Sequence, residues 1–138
     1  MSEHDPIGET HAMIAGMSPA LDSNLYLFCT TTDPATIERG KSLALSWFEE
    51  IEGTSLIISQ VHAEMLGVKV SKPMSRIELQ VFSSLDGIGL TAAVASALAA
   101  SGIACNMVAA YHHDHVFVPT DRAEEAVTIL RRLSSTPQ

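Results

Sequence analysis

The chain has 138 residues, and its 16 acidic against 8 basic side chains give a formal net charge of −8, with 46% of residues apolar. That composition supplies a real core, which excludes global disorder, and it holds no basic cluster larger than Arg131-Arg132, which excludes a nucleic-acid surface. No run reaches the roughly 18 apolar residues of a membrane span, residues 1–10 lack a basic start and an apolar stretch, and Cys29 and Cys105 have no CxxC spacing, so a soluble, cytoplasmic protein with reduced thiols is expected.

In chain order, residues 1–11 are polar and read as a flexible start. Ala12 to Leu21 reads as a short helix weakened by Gly16 and Pro19, and Leu25 to Thr31 as a strand, because it is aromatic, β-branched and apolar. Residues 35–49 fit two periods. Pro34 suits a helix start, and Leu43, Trp47 and Ile51 fall at helical spacing, yet Leu43 to Phe48 also reads as extended. A helix or irregular crossover ending at Gly53 is the expectation, with Trp47 and Phe48 in the core and Glu49, Glu50 and Glu52 on a solvated face open to a basic partner. Thr54 to Ser59 reads as a strand and Val61 to Leu66 as a helix stopped by Gly67. Residues 68–75 form the boundary between two halves, so the domains read as 12–72 and 73–138.

In the second half, Arg76 to Ser83 reads as a strand, and a helix comes next with Leu90, Val94 and Leu98 on one stripe. Ile103 to Tyr111 reads as a long strand, His112 to His115 as a polar turn and Val116 to Val118 as its return strand. The last helix is expected to open on a capping box, Asp121 with Glu124, and to bury Ala123, Val127 and Leu130. The order strand, helix, strand, strand, helix fits a ferredoxin-like α+β sandwich.

Between the strand and the helix lies Ser83-Ser84-Leu85-Asp86-Gly87-Ile88-Gly89-Leu90-Thr91. Two glycines free the backbone, and the N–H groups at the start of the next helix favour an anion. Ser83, Ser84 and Asp86 add polar groups, and Asn106 sits in the next apolar strand with an amide that donates and accepts. Ser83 through Thr91 with Asn106 are therefore the candidate binding residues for a small zwitterion such as an amino acid, and no cofactor is called for. The plain alternatives are a turn aspartate, turn glycines and a buried amide satisfied by backbone. His113, Asp114 and His115 are metal candidates without a recognised ligand spacing, against a polar hairpin turn with Asp114 in an Asx role. A serine–histidine–aspartate nucleophile has the residue types but no placement to support it.

These stretches resemble a small bacterial ACT-domain family, whose members carry an SSL..VGLTAAV turn, a GI..N strand start and an HDH.FVP hairpin. The matching residues are Ser83 to Val94, Gly102 to Asn106 and Tyr111 to Pro119, with a looser match at Glu50 to Leu56, where Thr54-Ser55 stands in place of the family's leucine and the arginine is missing. The resemblance implies two βαββαβ modules in tandem with side-by-side sheets, over roughly residues 12–133. It also implies amino-acid binding at the turn after the first strand, a regulatory or sensor role toward some other protein, and a homodimer. A ligand-free interaction module and a metal-assisted enzyme are the alternatives from other classes.

Overall fold

The computed structural model describes residues 12–69, 72–80 and 89–135. These form two compact units. Unit 1 joins residues up to Asp22 with those from Arg76 onward, and unit 2 runs from Ser23 to Ser75. Residues 12–15 are helical (α1), and β1 (Pro19–Thr31) begins in unit 1 and ends in unit 2. The helix expected to reach Leu21 therefore stops early, at the turn of Gly16, and Pro19 starts a strand instead.

Unit 2 contains α2 (Pro34–Leu43), β2 (Ser46–Glu50), β3 (Gly53–Ser59) and α3 (Gln60–Leu66). The ambiguous stretch holds a helix and then a strand, rather than one crossover. Asp33 is the N-cap of α2: its Oδ2 accepts from the Thr36 N–H at 2.9 Å and from Thr36 Oγ1 at 2.8 Å, and Pro34 comes next. The sheet order is β2-β3-β1, antiparallel throughout, with Tyr26 opposite Ser59, Leu27 opposite Ile58 and Cys29 opposite Leu56. Leu27, Leu56, Ile58 and Ala63 make the core of this unit, with Leu43, Ala44 and Leu66 packed against it. Helix α2 lies very close to β3, since a Cβ on Gly40 would stand 2.7 Å from Leu56 Cδ1. Trp47 and Phe48 are not in the core; they are 42% and 69% exposed, because β2 is an edge strand with a narrow helical cover.

Unit 1 contains β4 (Met74–Leu79, from Arg76 onward), α4 (Leu90–Ala100), β5 (Asn106–Ala109), β6 (Asp114–Pro119) and α5 (Ala123–Ser135), with β4 lying between β1 and β6 and β5 on the edge. Its core gathers Ile77 and Leu79 from β4, Leu90, Val94 and Leu98 from α4, Val116 and Val118 from β6, and Val127 and Leu130 from α5; Met13, Ile14 and Met17 join it. Full burial of each such side chain contributes about 2 kcal/mol. The strand expected over 103–111 is shorter. Ser101-Gly102 turns the chain, the Ile103 N–H bonds back to the Leu98 carbonyl at 3.0 Å, and Ile103 packs into the helical core before β5 begins. The return strand is longer than expected and already includes Asp114 and His115. The last helix is entered through a 3-10 turn, Thr120–Arg122, in place of a capping box at Asp121, and Arg122 Nε donates to Glu125 Oε1 at 2.7 Å.

Candidate functional site

Of the candidate turn, Ser83 through Ile88 lie outside the described residues, and Gly89, Leu90 and Thr91 lie within them. Gly89 is the N-cap of α4 with φ 100° and ψ −20°, a left-handed conformation that a residue with a Cβ resists. Its carbonyl accepts the first helical bond, from the Ala93 N–H at 2.9 Å. Among the described residues no side chain caps this helix. Leu90 is buried and anchors the first turn to the core, whereas Thr91 is exposed.

The helix entries can be compared directly. The turn from β1 into α2 is occupied by the chain's own carboxylate, Asp33 on the Thr36 N–H. Those bonds hold the Asp33 carboxyl below its ordinary range. The entry into α3 is likewise capped from within, with Ser59 Oγ accepting from the His62 N–H at 3.3 Å. Helix α4 alone among these three starts on a glycine and, among the described residues, has no side-chain acceptor, and its first turn carries no acidic residue. Chemically, a helix start that lacks a side-chain cap favours negative charge.

Asn106 opens β5, opposite Phe117, and is exposed, so the reading of a buried amide satisfied by backbone does not apply to it. The hairpin residues separate. Asp114 is buried and starts β6 opposite Ala109. His115 is half-buried opposite Val108, and its Nδ1 lies 3.5 Å from Arg76 Nη1. Burial, and next the Arg76 guanidinium, push its imidazole below the ordinary histidine range. His113 Nδ1 is buried and without a hydrogen-bond partner among the described residues. No group of three or more His, Cys, Asp or Glu side chains among the described residues is arranged to hold a metal ion. The two cysteines, Cys29 and Cys105, are free thiols, and partial burial pushes both above the ordinary thiol range.

One polar cluster was not foreseen. Arg76 Nη2 and Nε bond Asp22 Oδ2 at 2.7 and 3.1 Å, with both side chains largely buried, and His115 stands beside the guanidinium. The partners are 54 positions apart, so no local pattern links them. The only sequence signal is the Arg-Ile-Glu-Leu alternation, which puts Arg76 and Glu78 on one face of β4. No described helix is long and apolar enough to cross a membrane.

Two units, each built from strands and helices in the ferredoxin-like order with helices packed on a sheet face, define a class of small α/β modules. Residues 76–132 match an ACT-domain family model and residues 7–75 match another. The chain belongs to the ACT-domain family and carries two ACT domains in tandem. Among solved structures it is similar to a Vibrio cholerae protein of unknown function described as a possible transport protein, with 34% identity over 95% of this chain and 100% of that one and a TM-score of 0.82. An Agrobacterium tumefaciens protein shares 20% identity over 86% of this chain and 89% of that one, with a TM-score of 0.67. The regulatory subunit of aspartate kinase from Thermus flavus shares the fold, with 11% identity, 84% and 96% coverage and a TM-score of 0.59. No curated protein matches the sequence.

Proposed function

We propose that this is a regulatory ACT protein that binds a small amino acid at the entry to α4 and acts in the cytoplasm, as a homo-oligomer, on another protein. The observation that carries the reading is the contrast between Asp33, which fills the entry to α2 with its own carboxylate, and Gly89, where the entry to α4 has no side-chain cap among the described residues. The ligand carboxylate takes the place in the second domain that Asp33 takes in the first. Ser83, Ser84, Asp86 and Asn106 supply the polar groups for its ammonium and side chain, with Leu85, Gly87, Ile88, Leu90 and Thr91 as the other binding residues. The relationship to an aspartate kinase regulatory subunit in fold is in keeping with this role.

The test is a calorimetric titration and thermal-shift screen against the twenty amino acids. One of them at 100 times its Kd adds about 2.7 kcal/mol of stability, a shift of several degrees. Gly89→Val, Asp86→Ala and Asn106→Ala are expected to lose that shift, while Asp33→Ala keeps it. No response to any amino acid, or a response that survives all three variants, refutes the site.

A further inference from the structure

Unit 2 carries two hollows with part of their lining in common. The larger has a volume of about 430 Å³, within the size range of small-molecule sites, and the smaller about 220 Å³. Asn24, Ser59 and Val61 line both, so the two adjoin. The path of the chain explains where they form. Helix α2 ends at Leu43, Ala44 turns the backbone to an extended conformation, and the Leu45 N–H bonds the Ile57 carbonyl at 2.8 Å. Ser59 ends β3 opposite Tyr26 and at once caps α3, which sets Val61 in the first turn of that helix. The larger hollow is therefore mostly apolar, with Tyr26, Leu43, Ala44, Leu45 and Val61 around it. Tyr26 is buried, whereas Leu45 and Val61 are 44% and 63% exposed, apolar area that a ligand can take from water. The smaller hollow is polar, with Ser23, Asn24, Ser59, Gln60 and Glu64. Glu64 follows Val61 by three positions, on the same face of α3. Among the described residues no Lys or Arg lines either hollow.

We propose that these adjoining hollows bind a small amphipathic amine: a protonated primary amine on a phenyl or branched alkyl body, without a carboxylate. The site uses no residue of the α4 entry and stands apart from the function proposed above. The body fills the apolar hollow and covers Leu45 and Val61. The ammonium lies in the polar hollow, where the Glu64 carboxylate, the Gln60 amide oxygen and the Ser59 hydroxyl oxygen are acceptors suited to a group with three donors and no acceptor. Charge decides the class. A ligand carboxylate would meet Glu64 with no cation to offset it, and a neutral alcohol of the same shape would leave Glu64 without a counter-charge. The net charge of −8 also draws cations rather than anions to the chain. The preferred ligand is thus what remains of an apolar amino acid once its carboxylate is removed.

Amide NMR titration of the full chain with 2-phenylethylamine and 3-methylbutylamine tests this. Saturable shifts are expected at Leu43 to Leu45 and Ser59 to Glu64, with a Kd of about 0.1–1 mM for so small a ligand. Phenylalanine, 2-phenylethanol and ethylamine carry the same body with a carboxylate, the body without charge, and the charge without a body. Each should bind this site at least about threefold more weakly. Val61→Trp fills the opening that both hollows share and should raise the amine Kd at least about tenfold. Its circular dichroism spectrum should be unchanged, because Val61 is largely exposed. Glu64→Gln should raise the Kd about threefold, the scale of an exposed ion pair, and should erase the preference for 2-phenylethylamine over phenylalanine. No saturable shift up to about 10 mM amine, well above that Kd, overturns the proposal. So do shifts untouched by Val61→Trp and Glu64→Gln, and so does ethylamine or phenylalanine binding here as tightly as 2-phenylethylamine. Gly89→Val should leave the amine titration unchanged, so this site and the α4 entry are read separately.

Discussion

The two units share one strand–helix rhythm but hold their helices differently. In unit 1, fifteen buried residues form the core among the described positions; in unit 2 there are four. Unit 2 compensates locally. Asp33 and Ser59 cap its helices, Gly67 closes α3 in a left-handed conformation, and Lys41 ties α2 to β2. Unit 1 has the larger core and can leave the start of α4 on a bare glycine. A helix end without its own cap is tolerable where packing already fixes the helix.

The comparison predicts different responses to damage. Leu98→Ala empties the middle of the larger core and should cost about 3 kcal/mol in urea unfolding, with amides of β4, α4, β6 and α5 losing hydrogen-exchange protection together. If those amides keep their protection while only unit 2 loosens, the large core does not hold unit 1 together as described. Ser59→Ala should cost about 1 kcal/mol, and its effect should be confined to α3 and its neighbours in unit 2. An equal loss of protection in α4 and α5 would remove the distinction between local capping and central packing.

The smallest expected effect concerns pH. His115 is held below the ordinary histidine value in the folded chain, so between that lowered value and about 6.5 the unfolded chain binds the extra proton. Stability therefore falls as pH drops through this window and is restored above it. In His115→Gln this contribution to the slope should vanish when thermal midpoints are compared at about pH 7.5 and about pH 5.5, on either side of the ordinary histidine value. A slope unchanged by the substitution would mean that the imidazole beside Arg76 titrates as it does in solvent.

Much of this fold was legible in the residues. The stripe Leu90, Val94 and Leu98 is buried as its spacing predicts, as are Ala123, Val127 and Leu130 on the last helix. The strands around Leu27, Leu56 and Ile77 arise from β-branched and aromatic runs, and Gly67 ends α3 as its type suggests. The stretch Leu43 to Phe48 was not legible, because an apolar run fits a helix or a strand until a partner strand settles it. Trp47 and Phe48 look like core by composition, yet they lie on an edge, and the position of an edge depends on strand order. Pro19 to Asn24 has little strand propensity and joins β1 because its neighbours provide the ladder. Of the candidate site, the glycine turn into α4 was readable at Gly89, whereas Asp22 with Arg76 was hidden by sequence distance.

The division of the chain also bears on its synthesis. Unit 2 is one uninterrupted segment, Ser23–Ser75, while unit 1 is assembled from the stretches on either side of that segment. On a ribosome, Met13, Ile14 and Met17 emerge first but meet Leu98 and Leu130 only when the last helix has been made. The first helix must wait, solvated, while the inserted unit folds ahead of it. Nascent chains halted soon after Ser75 has cleared the tunnel should hold a folded unit 2 and an unpacked α1, so the unit whose first helix opens the described chain is the last to finish.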